Sequence, residues 1–257
     1  MQTTKILTAL IFGLMGFWAF TQLGNSQARH ILITDTAAYV MENGTVALTF
    51  SVENTGAPDR FVSAESSNKA ADFWTPDAQP FITVPSGKSS LSLESAHIIA
   101  PLTGDAPEPG TLLPLAMSLE SGQTVTAFIK VADTQIAPGV HGAMAHGAME
   151  IDMGDPPPTI SLTVVRTGQE WAIDIKTDHF EFMPDAVDGE HVPGQGHGHL
   201  YVSGTKVGRV FDHSATIGAL PKGQHIVRVT LNTNNHVAYM NDGQTVSASA
   251  MIEVDEP

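Results

Sequence analysis

The residues best equipped for chemistry are histidines and methionines in the C-terminal part of the chain. Of 11 histidines, nine fall between His141 and His236. Neutral imidazole is a good ligand for copper, zinc or nickel. One cluster reads His141-Gly-Ala-Met144-Ala-His146-Gly-Ala-Met149-Glu-Ile-Asp-Met153. Its His-Gly-Ala-Met unit repeats at a five-residue period, and the small residues between ligands let a backbone fold around an ion. Thioether sulfur is soft and favours Cu(I), while imidazole accepts Cu(I) and Cu(II). Histidine with methionine and without cysteine therefore points to copper. The competing reading is a linker whose histidines and methionines are incidental.

A second cluster reads Gly189-Glu190-His191-Val-Pro-Gly-Gln-Gly-His197-Gly-His199-Leu-Tyr. If residues 197–203 form a strand, His197, His199, Tyr201 and Ser203 share one face, and Leu200 and Val202 face a core. Two imidazoles at i and i+2 can then chelate one ion, with His191 reaching it from the preceding glycine-rich loop. His213 and His236 lie near the ends of later segments and are further candidates, with Met240 as a soft axial ligand. His179 and His225 read better as exposed or structural.

Composition removes other chemistries. With no cysteine, there are no disulfides, zinc–thiolate sites, blue-copper thiolate sites or cysteine nucleophiles. A formal net charge of −15 repels phosphate backbones and excludes a nucleic-acid partner. No Gly-x-Ser-x-Gly elbow and no His-Glu-x-x-His occurs, so the chain does not read as an enzyme.

The elements that must position these residues are strands. Alternating apolar residues mark 45–53, 113–119, 125–131, 159–166, 171–175, 225–231 and 246–254. Asn54-Thr55-Gly56, Pro85-Ser86-Gly87 and Ser121-Gly122 supply turns between several of them. The expected class is all-β, with two β-sandwich domains. Residues 29–131 form the first, 132–158 a His/Met-rich linker with Pro156-Pro157-Pro158, and 159–257 the second. Residues 1–28 read as an export signal: Lys5, then the uncharged apolar run Ile6–Phe20, then Ser26-Gln27-Ala28 as a small-x-small cleavage pattern. The run is shorter than the roughly 20 residues of a membrane span, although an uncleaved anchor is the alternative. The mature chain is expected in the periplasm.

Two stretches carry family resemblances. AAYVMENGTVALTFSVENTGAPDRFVSAES and ITVPSGKSSLSLESAHIIAPLTGDAPEPGTLLPLAMSLESGQTVTAFIKV, within residues 34–131, resemble the PCuAC-type periplasmic copper chaperones. The resemblance implies a cupredoxin-like sandwich and, in the family, Cu(I) held by two His and two Met. The family's His-x-Met pair falls on His97-Ile98-Ile99, and its other His and Met fall in Ala70–Trp74 and Asp77–Ile82, where neither residue type occurs. The C-terminal part, with GEHVPGQGHGHLYV and LNTNNHVAYM, is similar to small His-rich periplasmic β-domains. If its strand ends meet, His191, His197, His199 and His236 converge. The functional expectation is copper capture, storage or delivery, with another copper chaperone, a membrane transporter or an oxidase assembly factor as partner. The alternatives are a non-catalytic interaction module without a metal site, and a zinc or nickel scavenger.

Overall fold

A computed structural model describes residues 27–41, 43–102, 104–133 and 154–256. The export-signal run and the His141–Met153 cluster lie outside the described residues.

The described chain is built from strands, antiparallel except where β12 (Glu181–Phe182) runs parallel to β13 (Gln195–Val202). In the N-terminal half these are β1 (Ile31–Val40), β2 (Thr45–Asn54), β3 (Asp59–Ser66), β4 (Lys69–Trp74), β5 (Ile82–Val84), β6 (Gly87–Leu91), β7 (His97–Pro101), β8 (Leu112–Leu119) and β9 (Thr124–Lys130). Strand β2 pairs with β1, β6 and β7, and β3 pairs with β4, β5 and β8, which continues to β9. The two layers close over Leu48, Phe50, Phe61, Ile82, Ile98, Leu115, Met117, Leu119 and Ile129. Strand β8 shows the cause plainly: Leu115, Met117 and Leu119 are buried at every second position, with half-buried residues between.

The C-terminal half contains β10 (Thr159–Thr167), β11 (Glu170–Asp178), β12 (Glu181–Phe182), β13 (Gln195–Val202), β14 (Thr205–Val210), β15 (Ser214–Ile217), β16 (Gly223–Asn232), β17 (Met240–Asn241), β18 (Gln244–Thr245) and β19 (Ser247–Val254). One layer runs β19-β16-β13-β14 and the other β10-β11-β15. Trp171, Ile173 and Ile175 of β11 pack between them against Leu200, Val202, Val227, Val229, Ile252 and Val254.

The halves keep separate apolar cores but share a sheet path, because β14 pairs with β6 at Lys206 and Ser90. Around this bridge the contact is close. The Ala96 amide donates to Gly204 O at 2.8 Å and the Ser86 amide to Ala219 O at 3.0 Å. The Arg60 guanidinium donates to Lys222 O. Glycines permit the approach: a Cβ on Gly218 would meet Ser86 O at 2.4 Å, and one on Gly204 would meet the Pro76 ring at 2.7 Å. Among the described residues, no helix is long and apolar enough to cross a membrane.

Candidate metal centre

The site is built on β13. Its even-numbered residues Gly196, Gly198, Leu200 and Val202 turn toward the sandwich core, and His197, His199 and Tyr201 turn outward. The two glycines have a steric reason. A Cβ at Gly198 would stand 3.0 Å from the Val210 side chain, and one at Gly196 would overlap Asn232 O at 1.9 Å. Glycine thus lets β16 and β14 close on β13, and closure fixes the histidines between them.

Outward does not mean exposed. His197 and His199 are 0% and 1% accessible. Across the β13–β16 ladder His197 faces Asn232, His199 faces Thr230 and Tyr201 faces Arg228. Tyr201 carries the Arg228 guanidinium over its ring at 5.1 Å. The N-terminal half covers this face with Glu94 and Pro76, leaving a cavity of ≈ 210 Å³ that Tyr201, Arg228, Thr230 and Asn232 also line.

The third histidine arrives from the loop after β16. The Thr233 amide donates to Val237 O at 2.8 Å, and the His236 amide to Thr233 O at 3.1 Å, which turns the chain back over β13. His236 sits at φ 67, a left-handed conformation that a non-glycine residue adopts only when its surroundings impose it. The surroundings are the loop before β13: Asp188 donates its amide to Asn234 O at 2.9 Å, and Asn234 Nδ2 donates to Glu190 O at 3.2 Å. His236 Nε2 then reaches Asp188 Oδ1 at 2.5 Å. Tyr239 anchors the same loops from inside, its hydroxyl donating to Gln195 O at 2.9 Å.

The result is a group of three imidazoles, His197, His199 and His236, each with a ligand nitrogen within 4.8 Å of the others. His197 Nε2 and His199 Nε2 are 3.0 Å apart. Two nitrogens about 2.0 Å from one ion lie about 2.8 Å apart at a right angle and about 3.3 Å apart at the tetrahedral angle. The pair is thus already at chelating distance, and His236 has only to draw in. Its bond to Asp188 fixes the ring as carboxylate partners fix metal-ligating histidines, and leaves Nδ1 to turn to an ion.

Electrostatics favour the neutral form that a ligand needs. Burial, helped by the nearby His236, Arg209 and Lys206, pulls the His197 imidazole down to about 4. Burial and the Lys206 ammonium pull His199 down to about 2, against the opposing pull of Glu94 at 3.7 Å. Both rings are unprotonated near neutrality, with lone pairs to give. Burial also raises the Tyr201 phenol, which keeps its proton. The hydrogen bond from His236 lowers Asp188, which stays a carboxylate. His236 is the accessible member, with its side chain 20% exposed. Beside it stands Phe211, whose ring is 6.0 Å from that of His197 and which is 38% exposed.

The other expected ligands stand outside this group of histidines. His191 stands with its ring 6.0 Å from that of Tyr239. His213 turns toward the second layer, where Nδ1 meets Ile175 O at 3.2 Å and Phe182 meets the ring edge-on at 5.3 Å. Met240 opens a two-stranded turn, and its sulfur accepts from Thr245 Oγ1 at 3.5 Å. His225, read from sequence as structural, is 1% exposed and bonds Ser203 and Pro221 O. In the N-terminal half His97 is fully buried, stacked on Trp74 at 4.8 Å, with Nδ1 3.0 Å from Ser95 O. Four further residues frame the site, Asp188, Glu94, Lys206 and Tyr201, and of these the sequence placed only Tyr201 on the histidine face, by the alternation of β13.

No protein-family model matches the chain, and no curated protein matches it. Among solved structures, the copper-bound PCuAC domain from PmoF2 overlaps 41% of this chain and 94% of its own at 17% identity and a TM-score of 0.36. The apo PCuAC domain from PmoF1 overlaps 41% and 95% at 14% identity and 0.37. The Salmonella enterica SafA pilin in complex with the SafB chaperone overlaps 86% and 96% at 14% identity and 0.24. Overlaps at this level assign the chain nothing.

Proposed function

We propose that this protein binds a transition-metal ion through His197, His199 and His236, that the ion is copper, and that the protein carries or stores it outside the cytoplasm. The observation that carries the reading is the convergence of three imidazoles, two of them buried, neutral and 3.0 Å apart. Burying polar rings against one another is costly unless they bond a partner, and an ion supplies one for all three.

Copper is chosen from the donor chemistry of the whole chain. Cysteine is absent, and His141, Met144, His146, Met149 and Met153 follow one another in the segment between the halves. Thioethers add affinity for Cu(I) and little for zinc. That segment would collect ions, and the histidine group would hold one. The role is exchange with a partner rather than catalysis, and a second copper chaperone, a membrane transporter or an oxidase assembly factor would take the ion. The apolar run Ile6–Phe20 and the Ser26-Gln27-Ala28 pattern support export to the periplasm.

A zinc or nickel scavenger is the second reading, because the three described ligands are all imidazoles. One series separates the two. Metal is measured in protein isolated from its own compartment, then Cu(I), Cu(II) and Zn(II) are titrated against a competing chelator. Copper in the isolated protein, with affinity abolished in His197→Ala/His199→Ala, supports the proposal. Changing Met144, Met149 and Met153 to Leu should weaken Cu(I) much more than Zn(II). Equal losses, or zinc in the isolated protein, favour the scavenger. No metal, and no difference between wild type and the double variant, leaves an interaction module.

A further inference from the structure

His199 belongs to the C-terminal half but is held from the other half. Glu94 lies between β6 and β7, and its Oε1 accepts from Lys206 Nζ at 2.7 Å. Both side chains are nearly enclosed, 12% and 14% exposed. The same Nζ stands 3.1 Å from His199 Nδ1, which Tyr201 OH also approaches at 3.3 Å. Glu94 Oε1 is 3.7 Å from that nitrogen.

An ammonium has three N–H donors and no lone pair. Facing Lys206, His199 Nδ1 is therefore an acceptor, and the neutral ring carries its proton on Nε2. That N–H points to His197 Nε2, which accepts it and places the His197 proton on Nδ1. Among the described residues, His197 Nδ1 is buried without a hydrogen-bond partner. Among them the chain of donation from Lys206 through His199 to His197 ends there.

A metal ion reverses this polarity. Nδ1 of His199 is occupied by its neighbours, so Nε2 is the nitrogen left to ligate. Ligation puts the ring's proton on Nδ1, where it meets the ammonium donor to donor, with two positive charges close together. Tyr201 OH at 3.3 Å is a neutral acceptor within reach, but the Glu94 carboxylate at 3.7 Å is the one that also offsets the added positive charge. Lys206 also lines a cleft of ≈ 410 Å³ of mixed charge, with Asp35 and Glu53 beside Lys88 and Arg209, which leaves the ammonium room to withdraw.

We propose that Glu94 and Lys206 are a two-position clamp on His199: Lys206 donates to Nδ1 when the site is empty, and Glu94 accepts the hydrogen bond from Nδ1–H when a metal is bound. A residue of the N-terminal half thereby completes the metal site of the C-terminal half. Lys206 is also the residue through which β14 pairs with β6, so loading is felt at the joint between the halves. This rests on the metal-binding reading above.

The test uses the full chain and Zn(II) or Cu(II) titrated against a chelator. Lys206→Met removes the opposing charge and should bind about tenfold more tightly, with Lys206→Gln as a second charge-removing variant. Glu94→Gln should bind about tenfold more weakly, within the range for partners that orient metal-ligating histidines. In the Lys206→Met background the Glu94→Gln loss should persist, because Glu94 acts on His199 directly. Independently, ¹⁵N spectra of the imidazoles should show His199 as the Nε2–H tautomer without metal and the Nδ1–H tautomer with it. Unchanged or weaker binding on removing Lys206, or an Nδ1–H tautomer in the metal-free protein, overturns the clamp. Binding that survives His197→Ala/His199→Ala instead overturns the metal site. The metal-free tautomer still tests the Lys206 contact in that case.

Discussion

At the residue scale, the site depends on two side chains held in an unusual backbone conformation. Asp188 and His236, which bond each other, both sit at φ 67. Left-handed backbone at ordinary residues costs free energy that the surroundings must supply. Asp188→Asn keeps the size and removes the charge that orients the ring. It should weaken metal binding about tenfold in a chelator competition with little change in thermal stability. A second consequence concerns acid. His197, His199 and His225 are all depressed by burial, the first two to about 4 and about 2. Unfolded, each titrates near 6.5, so between that value and its folded value the unfolded chain binds the extra proton. Stability from these groups is complete above about pH 6.5 and is lost as pH falls below it, by at most about 1.4 kcal/mol per pH unit per histidine. Urea midpoints of the metal-free protein at pH 7.5, 6.0 and 5.0 should fall in that order, and a flat series would contradict the burial argument. The His197–His199 pair was legible in the sequence because a strand's period of two puts i and i+2 on one face. His236 was legible as a strand-end histidine. Glu94 was not, because it lies 112 residues from Lys206 and meets it only through folding.

Element by element, the strands that alternate most clearly are those the sequence shows best. Strands β8, β10 and β16 fall within two residues of their expected positions because one face of each meets a core, and β11 runs three residues further than expected. Strand β13 differs: seven of its eight residues are buried, on both faces. Alternation there reports two environments, an apolar core and a polar joint, rather than core and solvent. Its glycines give a direct test. Gly196→Ala drives a Cβ into Asn232 O and should cost about 1–3 kcal/mol, while displacing the loop that carries His236. Metal affinity should fall with it. Gly208→Ala on β14 meets nothing within 4 Å, and should leave both stability and binding unchanged. Equal effects in denaturant and metal titrations would show that the close approach of β16 is not what positions the site.

At the scale of the whole molecule, the halves keep distinct apolar clusters and meet through polar contacts that no local pattern announces. Arg60 is the clearest of these. It leaves β3, pairs with Glu120 at 2.8 Å, lies over Phe81 at 4.8 Å and donates to Lys222 O of the other half. Arg60→Ala should therefore weaken the coupling, so that one calorimetric transition separates into two. A single transition at an unchanged midpoint would place the coupling elsewhere. The start of the described chain carries a consequence of a different kind. Ala28, at the end of the small-x-small pattern, is 6% exposed, and its amide donates to Thr124 O at 2.9 Å. A peptidase cannot draw that bond into its active site while β9 holds it. Any cut after Ala28 must come before β9 is in place beside it, a deadline that folding itself would impose on the removal of a leader.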